Sequence, residues 1–227
     1  MTVPQDPASI VAVPPGGLSA QPDEQALHAR LLADPRIHAV LVPRSHLQRR
    51  IAELAGAIAR DCAGLPALTL VIVLKGAACF GTDLGEALCC AAGPALRYEF
   101  LRASTYGTGI KVAGEEQRAV RIDLAPRGLA GCDVLLVEDL VDQAFTLSHV
   151  QRLLREEGGA RSVRTCVLAE KVLDAPTPAV ARLRAALALD YVGFRVPDRW
   201  IAGYGIDAGE ELRNLPCIVA VNEERYR

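Results

Sequence analysis

Between Asp133 and Thr146 a short apolar run, Val134-Leu-Leu-Val137, stops at two adjacent carboxylates, Glu138 and Asp139. Asp142 follows, and Thr146 then opens a helical pattern in which Leu147, Val150, Leu153 and Leu154 point inward. A buried strand feeding directly into an amphipathic helix constrains a chain to an open α/β sheet. In such sheets ligands bind just past the carboxyl ends of strands, where loops meet helix N-termini. Three acids at that point suit a polyanionic ligand, its metal ion and a proton acceptor. Taken alone, they equally suit a strand end with solvated acids and a capped helix.

The same alternation recurs along the chain. Strands are expected at Ile37–Val42, Leu68–Leu74, Leu96–Ala103, Val134–Val137 and Ser162–Leu168, with a short one at Val120–Leu124. Helices are expected from a Ser45 cap to Cys62, over Ala77–Ala91, over Thr146–Glu157 and over Ala179–Ala186. Asp190–Phe194, Trp200–Tyr204 and Pro216–Val221 read as brief strands with no helix between them, which implies a small appended subdomain. Residues 1–22 hold five prolines and Gly16-Gly17, and read as a mobile or loosely docked extension. Asp23 is then the expected cap of a helix over Glu24–Leu32. The polar, glycine-bearing stretch Ser104–Gln117 is long enough to be a lid, or else a surface loop without a role.

Composition narrows the class further. At 227 residues and 51% hydrophobic, the chain fits one α/β domain with modest additions. Its core would be aliphatic, since aromatics make up only 4%. A formal charge of −2 gives no electrostatic reason to expect nucleic-acid or anionic-membrane partners. No apolar stretch of roughly 18 residues suggests a membrane span, and the N-terminus lacks the pattern of a secretion signal. Seven cysteines without a CxxC pair imply reduced, buried thiols and a cytoplasmic location, with Cys89-Cys90 read as core. Four scattered histidines give zinc little support.

Polar signals stand at three expected strand ends: Lys75-Gly76, the 138–146 loop, and Lys171. A lysine beyond a strand is ordinarily just solvated. Together they place ammonium groups, a close glycine backbone and carboxylates on one rim, which suits a phosphorylated substrate with magnesium.

At this point the chain resembles the purine phosphoribosyltransferases, hypoxanthine–guanine type, from about Ile37 to the C-terminus. The resemblance rests on Val73-Leu-Lys-Gly76 with Phe80 and Asp83-Leu84, on Arg102-Ala-Ser-Thr-Tyr106-Gly, and on Val137-Glu-Asp-Leu-Val-Asp142 through Thr146. The fourth motif is Asp190-Tyr-Val-Gly-Phe-Arg-Val-Pro-Asp198-Arg-Trp-Ile-Ala-Gly-Tyr204-Gly-Ile-Asp207, followed by Glu210 and Arg213-Asn-Leu. It implies a type I phosphoribosyltransferase-like fold, a mainly parallel twisted sheet flanked by helices, with the core at about 45–189. A small hood would come from about 23–44 and 190–227. It further implies transfer of 5-phosphoribosyl from phosphoribosyl pyrophosphate to hypoxanthine or guanine, magnesium as cofactor, and a homodimer or homotetramer.

By position, the resemblance implies that Lys75 and Gly76 meet pyrophosphate, often through a cis peptide, and that Thr105 and Tyr106 form the lid tip. Glu138 and Asp139 would serve ribose hydroxyls and metal, and Asp142 would handle the proton on the purine imidazole ring. The 143–146 loop, Gln143-Ala144-Phe145-Thr146, would cradle the 5′-phosphate. Lys171 would donate to the exocyclic oxygen of the base, with Glu170 competing for that register. Trp200 would stack on the base and Ile201 would contact its edge through backbone. Asp207 would bind a second magnesium and Arg213 would meet pyrophosphate.

One departure matters. Where the family usually reads Thr-Gly-Lys-Thr after the catalytic acid, this chain has Gln143-Ala-Phe-Thr146. Backbone donors survive such changes, but Ala144 costs about 1 kcal/mol if its position needs positive φ. Weaker phosphate affinity, not its loss, is the expectation. The alternative is a degenerate relative that binds nucleotide with little catalysis, as a sensor or assembly partner.

Overall fold

The computed structural model describes residues 10–105 and 120–226. Ten strands run in chain order: β1 (Val11–Ala12), β2 (Ile37–Val42), β3 (Ala67–Leu74), β4 (Ala95–Thr105), β5 (Val120–Leu124), β6 (Asp133–Val141), β7 (Ser162–Val172), β8 (Tyr191–Pro197), β9 (Ile201–Ala202) and β10 (Ile218–Val221). Five α-helices accompany them: α1 (Gln25–Leu32), α2 (Arg44–Asp61), α3 (Ala78–Cys90), α4 (Phe145–Arg152) and α5 (Pro178–Ala185). A single π-type turn, Leu153–Glu157, prolongs α4.

Seven strands make the main sheet in the order β1-β8-β7-β6-β3-β4-β5. Every neighbouring pair is parallel except β4–β5. The central strands are apolar on both faces, because helices cover both. Leu68, Leu70 and Ile72 of β3 pack with Leu47, Ile51 and Leu54 of α2 and with Phe80, Leu84 and Leu88 of α3. Val71 and Val73 turn the other way, onto Leu147, Val150 and Leu154. Buried on both faces, such strands read as continuous Val/Leu/Ile runs, which is why they stood out in the sequence.

A second, three-stranded antiparallel sheet, β2-β10-β9, draws on both ends of the chain. Its own small core includes Leu31, Ile37, Val40, Ala202, Leu212 and Val219. The chain leaves β3 towards β4 on one side and returns to β6 on the other, so the strand order reverses between β3 and β6. That reversal opens a crevice at the carboxyl ends of these two strands.

Several expectations need correction. The described part of the extension is not loose: Val11 and Ala12 pair in parallel with Phe194 and Arg195, and Val13 is buried. Asp23 caps nothing; it lies in a 3₁₀ turn over Pro22–Glu24, and a reciprocal capping box joins Gln21 and Glu24. Ser45 lies one residue inside α2, whose cap position is Pro43. Its amide and hydroxyl each donate to Glu24, both at 2.8 Å. Cys89 and Cys90 are exposed, as is Cys79, because they fall on the outer face of α3. All seven cysteines are free. β6 and β7 run several residues beyond their apolar runs, carrying Glu138, Asp139 and Lys171 within paired strand. Of the expected lid, Ser104–Gln117, residues 106–117, Tyr106 among them, lie outside the described residues. Among the described residues no helix is long and apolar enough to cross a membrane.

At the far end of the sheet, the buried Asp133 carboxylate accepts from Arg161 and from Ser162 Oγ at 2.6 Å. The hydrogen bonds from Arg161 hold this carboxyl below the usual aspartate range. A depressed acid stabilises the fold above its unfolded pKa and loses that contribution as pH falls through the folded value. Asp133→Asn should therefore cost about 1.5–3 kcal/mol in denaturant unfolding at pH 7. The gap to the parent chain should close as pH falls below ~4, where the wild-type carboxylate protonates in the unfolded state and then in the fold.

Candidate active site

The crevice is a cavity of about 930 Å³ at the carboxyl rim of the main sheet, roofed by the small sheet. β3 delivers Gly76 through a Leu74–Lys75 peptide that is cis. A β-carbon on Gly76 would overlap the Asp139 carboxylate, and one on Gly205, which sits at φ 98°, would overlap the Gly76 carbonyl. Glycines at 76 and 205 together let the β3 loop, the acid pair of β6 and the roof come together at one point.

β6 supplies the acids. The Glu138 carboxyl is buried, and burial followed by the adjacent Asp139 charge pushes it well above the usual glutamate range. Asp139 Oδ1 accepts from the Leu140 amide at 2.9 Å. Two neighbouring carboxyls at one strand end, one of them driven towards its neutral form, favour a cation or hydroxyl donors at this spot. Asp142 lies just past the strand and pairs with Lys171 of β7, Nζ to Oδ2 at 3.4 Å, both side chains mostly buried. Glu170 points elsewhere, accepting from Arg184 at 3.0 Å and Arg195 at 3.1 Å. Strand alternation resolves the register: Lys171 lines the cavity and Glu170 does not.

Gln143, Ala144, Phe145 and Thr146 all line the cavity. Helix α4 begins at Phe145, so Thr146 is its second residue and no side chain caps its first turn. Those amides are the groups that bind anions at a helix N-terminus. Ala144 holds the position before the helix at φ 71°, the left-handed conformation that the departure from Gly leaves strained.

Trp200 and Ile201 bring the small sheet to the cavity, with Asp207 nearby. The Trp200 ring also packs on Tyr226, centroids 5.1 Å apart and tilted by 50°. Lys75 and Arg213 meet at Glu210, which accepts from Lys75 at 2.8 Å and from Arg213 at 3.3 Å. Arg213 also pairs with Asp207 Oδ1 at 2.8 Å and donates to the Gly205 carbonyl at 2.8 Å. Neither Lys75 nor Arg213 lines the cavity itself; they flank the Gly76–Gly205 contact. Thr105 ends β4 opposite Val120.

Sequence reasoning missed the contributions of Leu173, Ala175, Pro176 and Thr177, which line the wall beyond Lys171. A Pro-Thr-Pro turn ahead of α5, with Thr177 accepting from the Val180 amide at 3.3 Å, was the signal available. It also missed Arg184 of α5, whose partners lie 13 to 43 residues away.

An acid-lined, helix-headed crevice at a strand-order reversal defines a protein that binds a phosphorylated substrate. The sequence pattern of the phosphoribosyl transferase domain matches residues 43–208, and the chain belongs to that family. Among curated relatives, the hypoxanthine-guanine phosphoribosyltransferase of Mycobacterium bovis is 36% identical over 84% of this chain and 89% of its own. That of Bacillus subtilis is 32% identical, over 84% and 96%. A solved Trypanosoma cruzi hypoxanthine phosphoribosyl transferase superposes with a TM-score of 0.71 at 33% identity, covering 84% of this chain and 94% of that one. A variant of the T. cruzi enzyme complexed with the product IMP gives 0.70 at 32%, over 84% and 93%.

Ala144→Gly relieves the left-handed alanine. It should raise unfolding stability by about 1 kcal/mol and tighten phosphoribosyl pyrophosphate binding in calorimetric titration. Unchanged stability and affinity would show that the loop carries no such strain.

Proposed function

We propose that this chain transfers the 5-phosphoribosyl group of phosphoribosyl pyrophosphate to hypoxanthine or guanine, giving IMP or GMP and pyrophosphate. The observation that carries this reading is the Asp142–Lys171 pair, an acceptor and a donor 3.4 Å apart on a cavity wall that Trp200 also lines. A 6-oxopurine offers the complementary edge, a ring N–H beside an exocyclic oxygen. Lys171 donates to that oxygen, and Asp142 accepts the imidazole proton as the new C–N bond forms at the sugar. Trp200 stacks on the base, and Ile201 supplies backbone contacts to its edge.

At the other end, the first-turn amides of α4 with Thr146 and Gln143 grip the 5′-phosphate, beside Ala144 and Phe145. Glu138 and Asp139 receive the ribose hydroxyls. Departure of pyrophosphate builds positive charge on the ribose and negative charge on the leaving group, which Lys75, the Gly76 backbone and Arg213 oppose. Glu210, now shared between Lys75 and Arg213, gives way to the phosphate oxygens. Thr105 and Tyr106 belong to the lid that excludes water.

The acid pair and Asp207 fit magnesium, a hard cation that keeps several waters and takes one or two protein carboxylates alongside substrate phosphates. Glu138 and Asp139 would hold one ion and Asp207 a second, and when bound they supply charge neutralisation on the pyrophosphate. The degenerate reading gains nothing from the relatives, which are named as enzymes. Exposed Tyr98, Phe100 and Leu124 on β4 and β5 support assembly into a homodimer or homotetramer. The free thiols support a cytoplasmic, reducing setting. A formal charge of −2 supports neither a nucleic-acid nor a membrane partner.

The test is a spectrophotometric assay with hypoxanthine, guanine and xanthine in parallel, with magnesium and with the metal chelated. Nucleotide should form with the first two bases and fall to background without metal. Asp142→Asn should still bind nucleotide while kcat drops roughly 10²- to 10⁴-fold. No nucleotide at saturating phosphoribosyl pyrophosphate would refute the proposal.

A further inference from the structure

Helix α5 does nothing for the reading above, yet its last turn reaches the centre of the site. The Arg184 guanidinium, largely buried, spans the carboxyl ends of two adjacent parallel strands. One terminal nitrogen donates to the Val141 carbonyl at 3.4 Å and to the Asp142 carbonyl. The other donates to the Lys171 carbonyl at 2.7 Å and to Glu170 Oε1 at 3.0 Å. Glu170 is held from its other oxygen by Arg195, at 3.1 Å. Thus both backbone units that carry the Asp142–Lys171 pair hang from one side chain. Paired strand ends normally fray where the ladder stops, and β6 leaves β7 at Val141. A planar fork with fixed donor directions is suited to pinning two carbonyls at one spacing, whereas a single ammonium cannot serve both.

We propose that Arg184 is a positioning residue, setting the distance between Asp142 and Lys171 and so the fit of the purine edge. This rests on the roles given to those two residues under the proposed function. Arg184 touches neither substrate; it acts through the backbone at 142 and 171. The consequence is specific. Loss of the fork should impair the base end of the reaction and spare the phosphate end, which depends on α4 and on the Gly76 loop. Because the effect passes through Asp142, it should vanish once Asp142 no longer accepts a proton.

The experiment is a double-mutant cycle in steady-state kinetics on the full chain. Arg184→Ala should lower kcat at least ten-fold and raise KM for hypoxanthine several-fold, with KM for phosphoribosyl pyrophosphate within two-fold of the parent. Arg184→Lys, which keeps the charge and helix but not the fork, should show the same split; it carries the comparison if the alanine variant does not fold. Added to Asp142→Asn, either substitution should change kcat less than two-fold. Full multiplication of the two losses, an equal rise in both KM values, or rescue by lysine would each overturn positioning and leave a packing role. A parent chain without turnover would instead refute the proposed function and this inference with it, whereas an active parent indifferent to Arg184 substitution refutes the inference alone.

Discussion

The site depends on one close approach, made possible by two glycines, Gly76 and Gly205, that put no β-carbon between neighbouring elements. A β-carbon on Gly76 would overlap the Asp139 carboxylate, and one on Gly205 would overlap the Gly76 carbonyl. Through this contact β3, β6 and the small sheet meet within a few ångströms. The crevice lies where strand order reverses, so adjacent loops diverge and leave room for a ligand. The glycine contact then decides how narrow that room becomes and which acids face it.

Charge is distributed unevenly around the cavity. At the end of β6 two adjacent carboxyls, one of them buried, store an electrostatic cost that a cation or donor hydroxyls would lift. Just past that strand, Asp142 is already matched by Lys171. Beside Gly76, Lys75 and Arg213 share the exposed carboxylate of Glu210, and Arg213 also pairs with Asp207. Exposed pairs of that kind are worth little, so a polyphosphate can replace the glutamate readily. The strongest unmet electrostatic demand around the cavity thus lies at Glu138 and Asp139.

The 143–146 loop shows how a departure in sequence can leave chemistry in place. Anion binding at a helix start relies on main-chain amides, which Gln143, Ala144 and Phe145 still provide. What changes is backbone comfort: Ala144 adopts a left-handed conformation that glycine would take without strain. Energy that would otherwise hold the phosphate cradle is spent on geometry there.

The sequence by itself determined most strands of the main sheet, but it read Asp190–Phe194 into an appended subdomain, whereas β8 lies in the main sheet between β1 and β7. β2 and β5 fall where the apolar and turn patterns placed them, because short buried runs bounded by polar residues have few alternatives. It also singled out Glu138, Asp139 and Asp142 at a strand end and within a motif, Lys171 at a strand end and Trp200 within a motif. Less was legible where partners are remote. Ser45 looked like a cap because serine usually is one, yet it serves Glu24, 21 residues earlier. Cys89 and Cys90 looked like core because hydropathy does not say which side of a helix faces out. The choice of Lys171 over Glu170 awaited strand phase. The tie from Arg184 to Asp142 and Lys171 awaited the packing of α5. Local propensity is written in neighbouring residues, but a hydrogen bond across 42 residues exists only once the sheet has brought its ends together.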